Sequence, residues 1–259
     1  GKHVEAGEWY VRAERMQAEN YVTEKAQIEK NIADMTATMQ ARIAASPDEG
    51  YRRAAAGVLE SYVDGMLIHL DSLASARDDM PEVARISEQR LALAKRGGDA
   101  EKIAHGLTQV ANAYRKAGDY SKARTFANEA LSLRLADARR RRVYETYFLL
   151  GQIADDSDDW NEALTQYRKV IEQTAPGVLP PIHDLASADA NLRDLLANMN
   201  NLDLLNRAGK AFDAHAAIGR ILTRRGNYRE GDLEFQMVLS EVSKLYAAGA
   251  PDEVELLNW

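Results

Sequence analysis

The sequence predicts an all-α fold, a solenoid of four to five stacked helix pairs preceded by a long N-terminal helical hairpin. Three observations predict it. Residues 104–131 and 144–171 repeat one pattern of two amphipathic segments joined by a short polar turn, with a step of about 40 residues. Neither copy can bury its apolar face alone, so each must stack on a neighbour. Hydrophobic residues make up 46% of the 259-residue chain, aromatics only 7%, with 16 glycines and 6 prolines. That balance is globular and favours helices over a β-sandwich. The third observation is Val4–Ser46, which contains no proline and a single early glycine.

In chain order, Val4–Ser46 reads as one helix. Tyr21, Ile28, Ile32, Met35, Met39 and Ile43 form a narrow apolar seam along it. The seam lacks an ordered pattern of opposite charges, so packing on the next helix of the same chain is expected over dimerisation, with an oligomer through this helix as the other outcome. Ser46-Pro47-Asp48-Glu49 then stops one helix and starts another. Ser46 is the expected cap, Pro47 the first helical residue, and Glu49 the closing acid. The second helix should reach about Arg77, and residues 1–63 are assigned to the hairpin.

The superhelix is expected over 64–248. Its clear units are 104–137, 144–177 and 212–245, and its weak ones 64–97 and 186–211. The turns Lys116-Ala-Gly-Asp-Tyr120, Asp156-Ser-Asp-Asp-Trp160 and Arg224-Arg-Gly-Asn-Tyr228 share one logic. A Gly, or an Asp in its place, ends the first helix, and an Asp or Asn caps the second. The weak early unit turns at Arg77-Asp-Asp-Met80, with Pro81 opening its second helix. Residues 178–211 fit a degenerate unit that is either cut short or runs on into the last pair. Pro251-Asp252 starts a terminal helix or linker over 249–259.

These residues resemble tetratricopeptide repeats. One unit carries Leu107, Val110, Ala111, Tyr114, Gly118, Ala123 and Ala130 in the family's characteristic order of large, small and turn residues. The next carries Tyr147, Leu150, Gly151, Asp158, Ala163 and Tyr167, and the last Gly219, Gly226, Gly231 and Phe235. The step exceeds the usual 34 residues or so, and resembles the extended variety of cargo adaptors and bacterial signalling proteins. The familiar proline near the end of each unit is replaced by Leu135 and Ala175.

The resemblance implies a concave groove lined by the first helix of each unit. His105, Thr108, Asn112, Arg115 and Lys116 would come from one unit. Glu145, Phe148, Gln152, Asp155 and Asp156 would come from the next, and Asp213, Ala216, Arg220, Thr223 and Arg224 from the last. Such a wall, alternating in charge with Phe148 as an exposed aromatic, suits a partner peptide or helix. Thr108 stands where the chaperone-tail clamps of the family need a Lys, so that specificity is not expected. The function expected is a non-catalytic interaction or regulatory module. The other readings are a ligand-sensing domain of a membrane-anchored receptor, and an assembly scaffold.

Other features are read structurally. Arg134 with Arg139, Arg140, Arg141 and Arg142 forms the densest charge run. It is a candidate docking patch for an acidic partner, weighed against a solvated helix start. Asp155–Asp159 lacks the Gly and Glu that a calcium loop requires. The five histidines show no metal-ligand spacing, and His69 and His215 are expected on packed faces. Gly97-Gly98-Asp99 is a helix stop. No catalytic constellation, cofactor or metal is expected. Zero cysteines remove disulfide and thiol chemistry. A net charge of −7 argues against general nucleic-acid binding. No apolar run reaches the ~20 residues of a bilayer span, Gly65–Leu73 being interrupted by His69 and Asp71. The chain opens without a signal-peptide pattern. A cytoplasmic protein is expected, or an extracytoplasmic one if a membrane anchor precedes Gly1.

Overall fold

The computed structural model describes residues 2–137, 142–174 and 202–247. All regular structure among them is helical. The helices are α1 (Lys2–Ala45), α2 (Glu49–Ala76), α3 (Met80–Gly97), α4 (Ala100–Lys116), α5 (Tyr120–Ala136), α6 (Val143–Asp156), α7 (Trp160–Thr174), α8 (Leu202–Arg224) and α9 (Tyr228–Ala247). They fall into two compact units, Gly1–Gly118 and Asp119–Trp259.

The repeated turns have one mechanism. Asp78, Gly118, Asp158 and Gly226 each take a positive φ of 58–83° at corresponding places. This left-handed residue turns the chain out of the first helix. Glycine adopts it without strain, and aspartate is among the few others that tolerate it. The residue that follows caps the second helix. Asp79 accepts from the backbone N–H of Glu82, Asp119 from that of Lys122, and Asp159 from that of Glu162, at 3.1–3.3 Å. Asp158 and Asp159 of the acidic run are therefore turn-forming residues. Gly98, at φ 71°, ends α3 and Asp99 caps α4.

The α1–α2 corner departs from expectation. Ser46 is not the cap; Asp48 is, accepting from the Tyr51 N–H at 3.1 Å. Ser46 instead accepts from the N–H of Asp48 at 3.3 Å. Pro47 thus precedes the helix, and Glu49 pairs with Arg53 rather than closing a capping box.

In the first unit α1 packs on α2, α2 on α3, and α3 on α4. Ile28, Leu67, Leu70, Ala74, Val83, Ala84, Ile86 and Ala113 form the core. Ile28 is buried within the α1 seam, whereas Met35 remains 37% exposed. A polar ladder ties α1 to α3. The Tyr21 hydroxyl donates to Asp79 at 3.4 Å, Lys25 meets Glu82 at 2.9 Å, and Arg85 donates to Glu29 at 3.2 Å. Arg85 and Lys25 together hold the Glu82 carboxyl at a pKa of about 2 through their hydrogen bonds, against the opposing effect of burial. His69, expected to pack, is exposed and lies 3.3 Å from Glu24. It falls outside the stripe made by Leu67, Leu70 and Ala74.

In the second unit α5 packs on α6, α6 on α7, α7 on α8, and α8 on α9. Ala163, Tyr167, Val170, Ala217, Ile218 and Ile221 are 0–1% exposed at its centre. Close approach at the small residues is direct. A Cβ on Gly151 would lie 2.6 Å from the Tyr167 ring, and one on Gly219 would lie 2.9 Å from the Phe235 ring. One on Gly231 would lie 2.9 Å from the Gly219 carbonyl, so the α8 and α9 backbones nearly touch there. Residues 202–211 belong to α8 and run straight into the last pair. The rest of 178–201 and the 249–259 segment lie outside the described residues.

Candidate functional site

The first helices α6 and α8 of the second unit lie side by side. Glu145, Phe148, Gln152 and Asp155 recur at threes and fours along α6, and all four are half-buried. Asp213, Arg220 and Arg224 follow at seven and four along α8 and are exposed. The helical period therefore puts each set on one stripe.

Phe148 is not the freely exposed aromatic expected. Its ring packs against Tyr167 with centroids 5.5 Å apart. The Lys210 ammonium lies 4.4 Å from its centroid, a cation–π contact between α6 and α8. Lys210 also meets Asp213 at 2.9 Å. At the other end Arg224 stands 3.5 Å from Asp155. Burial raises the Asp155 pKa, while Arg224 and then Arg220 oppose the shift. With Arg224 58% exposed, that pair is a weak tie, worth no more than about 1 kcal/mol. Asp156 is exposed beside it, and Thr223 spends its hydroxyl on the Gly219 carbonyl at 2.8 Å. Glu145 is engaged by Arg142 at 3.0 Å. This surface thus carries an acid-engaged end, an aromatic–lysine stack and a basic–acidic end in succession.

In the first unit, α4 presents His105 and Lys116 exposed, with Thr108, Asn112 and Arg115 half-buried. Arg115 donates through Nε and Nη2 to the Asn112 carbonyl oxygen, both at 3.2 Å. Thr108 donates to the Ala104 carbonyl at 2.8 Å. Lys116 and Arg90 both act on Asp71 of α2, whose pKa is nonetheless raised, chiefly by burial.

Arg134 corrects the docking-patch expectation. Its side chain is 0% exposed. It donates to the Arg142 carbonyl at 3.0 Å and to the Thr146 hydroxyl at 2.7 Å, with Glu145 at 3.7 Å. Arg134, in the last turn of α5, is a second donor to the Arg142 carbonyl, which also accepts from the Glu145 N–H at 3.1 Å. Arg142 is half-buried, with a positive φ, and pairs with Glu145. Arg139, Arg140 and Arg141 lie outside the described residues. His215, at 15% exposure, pairs with Glu234 at 2.6 Å across α8 and α9.

Two residues escaped the sequence reading. Lys210 precedes the assumed start of the last unit, but its place three residues before Asp213 on an unbroken helix was a usable signal. Asp71 occupies the place in the 64–97 unit that Ala111, Gly151 and Gly219 hold in theirs. That unit is placed by the 40-residue step alone, and Asp71 reads in sequence only as an interruption of the apolar stretch Gly65–Leu73.

Residues 102–174 match the tetratricopeptide repeat model. The chain is similar to the crystal structure of BtubC (BKLC) from P. vanneervenii, at 16% identity over 87% of this chain and 94% of that one, with a TM-score of 0.42. It is also similar to the apo form of RapI, at 14% identity over 73% of this chain and 71% of that one, with a TM-score of 0.40. No curated protein matches the sequence. No described helix is long and apolar enough to cross a membrane.

Proposed function

Residues 102–174 being tetratricopeptide repeat, we propose that this chain is a non-catalytic interaction module that docks a segment of a partner protein along its first helices. The observation that carries the reading is the Phe148–Lys210 stack, flanked on one side by Glu145 and on the other by Asp155, Arg220 and Arg224. An aromatic body with a cation over its face offers a docking segment apolar area together with a charge. The alternating sites around it set the segment's register. Asp155, raised by burial yet opposed by two arginines, is poised to exchange Arg224 for a basic side chain of the partner. On α4 the exposed Lys116 and His105, with Arg115 beside them, form the corresponding surface of the first unit.

Selecting displayed peptides on the immobilised 259-residue protein tests this. The affinities of the recovered peptides are then compared on Arg220→Glu with Arg224→Glu, and on Arg115→Glu with Lys116→Glu. At least one pair should weaken binding tenfold or more with an unchanged melting temperature. Peptides that bind both double variants as tightly as the wild type remove the proposal.

A further inference from the structure

A second surface lies in the first unit, away from the residues just described. A cleft of about 610 Å³ runs between α1, α2 and α3. Its floor is Leu59, Val63 and Leu67 of α2, and its walls include Ile32 and Ile43 of α1 and Leu93 of α3. The polar ladder closes one end, with Glu29 and Arg85 as its last rung.

The second unit supplies an internal standard for this arrangement. There α6 sits among α5, α7 and α8 and buries eight of its 14 residues. In the first unit α2 sits between α1 and α3, yet buries only four of 28, and before Leu67 only Ala55. The apolar side chains are present, but among the described residues nothing covers them.

We propose that this cleft receives one amphipathic helix of a partner protein. Exposed Gln40, Ala92 and Arg96 at its rim leave it open to solvent, which decides against a small apolar ligand needing most of its surface enclosed. A helix instead buries one stripe and keeps the other face wet. The α1 wall from Glu29 to Ile43 spans about 21 Å, enough for about four helical turns. Charge fixes the orientation. Glu60 on α2 and Arg96 on α3 line the cleft, and neither has an ion-pair partner among the described residues. The docking helix therefore carries a basic residue on the α2 edge of its apolar stripe and an acidic residue on the α3 edge.

The test uses two labelled 16-residue model helices with the same leucine stripe, one with this charge arrangement and one with its mirror. Each is titrated with the intact chain by fluorescence anisotropy. Ala92 is exposed on the α3 wall, so Ala92→Arg obstructs the cleft without entering the core. The complementary helix should bind at least tenfold tighter than its mirror. Ala92→Arg should weaken it tenfold or more at unchanged melting temperature. Glu60→Lys with Arg96→Glu should reverse the preference between the two peptides. Arg220→Glu with Arg224→Glu should leave all of this unaltered, which separates the cleft from the α6–α8 surface. Absence of binding, indifference to Ala92→Arg, or no reversal overturns the proposal. So does a concentration-dependent dimer dissolved by Ala92→Arg, which would make a second copy the occupant.

Discussion

Replacing Gly151 by alanine puts the stacking of the helix pairs to a quantitative test. The added methyl would stand 2.6, 2.7 and 3.0 Å from Cε1, Cδ1 and Cζ of Tyr167. Tyr167 is 1% exposed and its ring is packed against Phe148, so it has little room to swing aside. Overpacking of this kind costs about 1–3 kcal/mol, and a boxed-in aromatic ring places it near the top of that range. Alanine regains about 1 kcal/mol of helix propensity. The expected net loss is therefore about 2 kcal/mol. Gly209, in the same unit, is the control, because a Cβ there meets nothing within 4 Å. Gly209→Ala should stabilise by up to about 1 kcal/mol. The assay is urea denaturation followed by Trp160 fluorescence, with Trp9 and Trp259 replaced by Phe so that the signal reports the second unit. Tyr167→Leu should abolish most of the Gly151→Ala penalty, giving a coupling above about 1 kcal/mol in a double-mutant cycle. A Gly151→Ala protein as stable as its parent, or a penalty unchanged in the Tyr167→Leu background, would refute the reasoning.

Three further outcomes follow from single side chains. Arg134→Met removes the buried donor to the Thr146 hydroxyl and one of the two donors to the Arg142 carbonyl, and should destabilise the second unit by about 1–3 kcal/mol in the same assay. Glu82 has a folded pKa of about 2 against 4.5 for the free group, so its stabilising contribution is complete above pH 4.5 and is lost as pH falls towards 2. Urea titrations between pH 6 and pH 2 should therefore show Glu82→Gln less stable than wild type at the upper end, with the difference vanishing at the lower. Asp71 shifts the other way: its raised pKa means that the folded state disfavours the charged form. Asp71→Asn should accordingly be more stable than wild type at pH 7 and lose that advantage as the wild-type carboxyl protonates, a crossover visible in thermal melts at pH 7 and pH 3.

Much of the fold was legible because turn chemistry is local. A Gly or Asp followed by a capping Asp marks the same corner at 78–79, 118–119 and 158–159, whatever surrounds it. The small residues Ala123, Gly151, Ala163 and Gly219 were equally readable, and all four are buried. The α1–α2 corner was misplaced by two residues because Ser46 and Asp48 both satisfy the rules for a cap, and only the backbone path chooses between them. The site was less legible. The 3.6-residue period identified which side chains share the α6 and α8 stripes, but carries no information about what crosses between helices. Phe148 looked exposed because Lys210, which covers it, lies 62 positions away in sequence.

By itself the sequence determined the helical character of the chain and the corners at 78–79, 118–119 and 158–159, since each depends on residues within a few turns of one another. Tertiary structure alone decided the fate of the charges. Arg134 reads as one more surface arginine, yet it is interior, because a carbonyl and a hydroxyl eight and twelve residues later converge on it. The cleft beside α2 is likewise absent from any local pattern, since it is a property of three helices that fail to close. Burial and pairing are set by distances between segments, and a sequence states only the order in which those segments come.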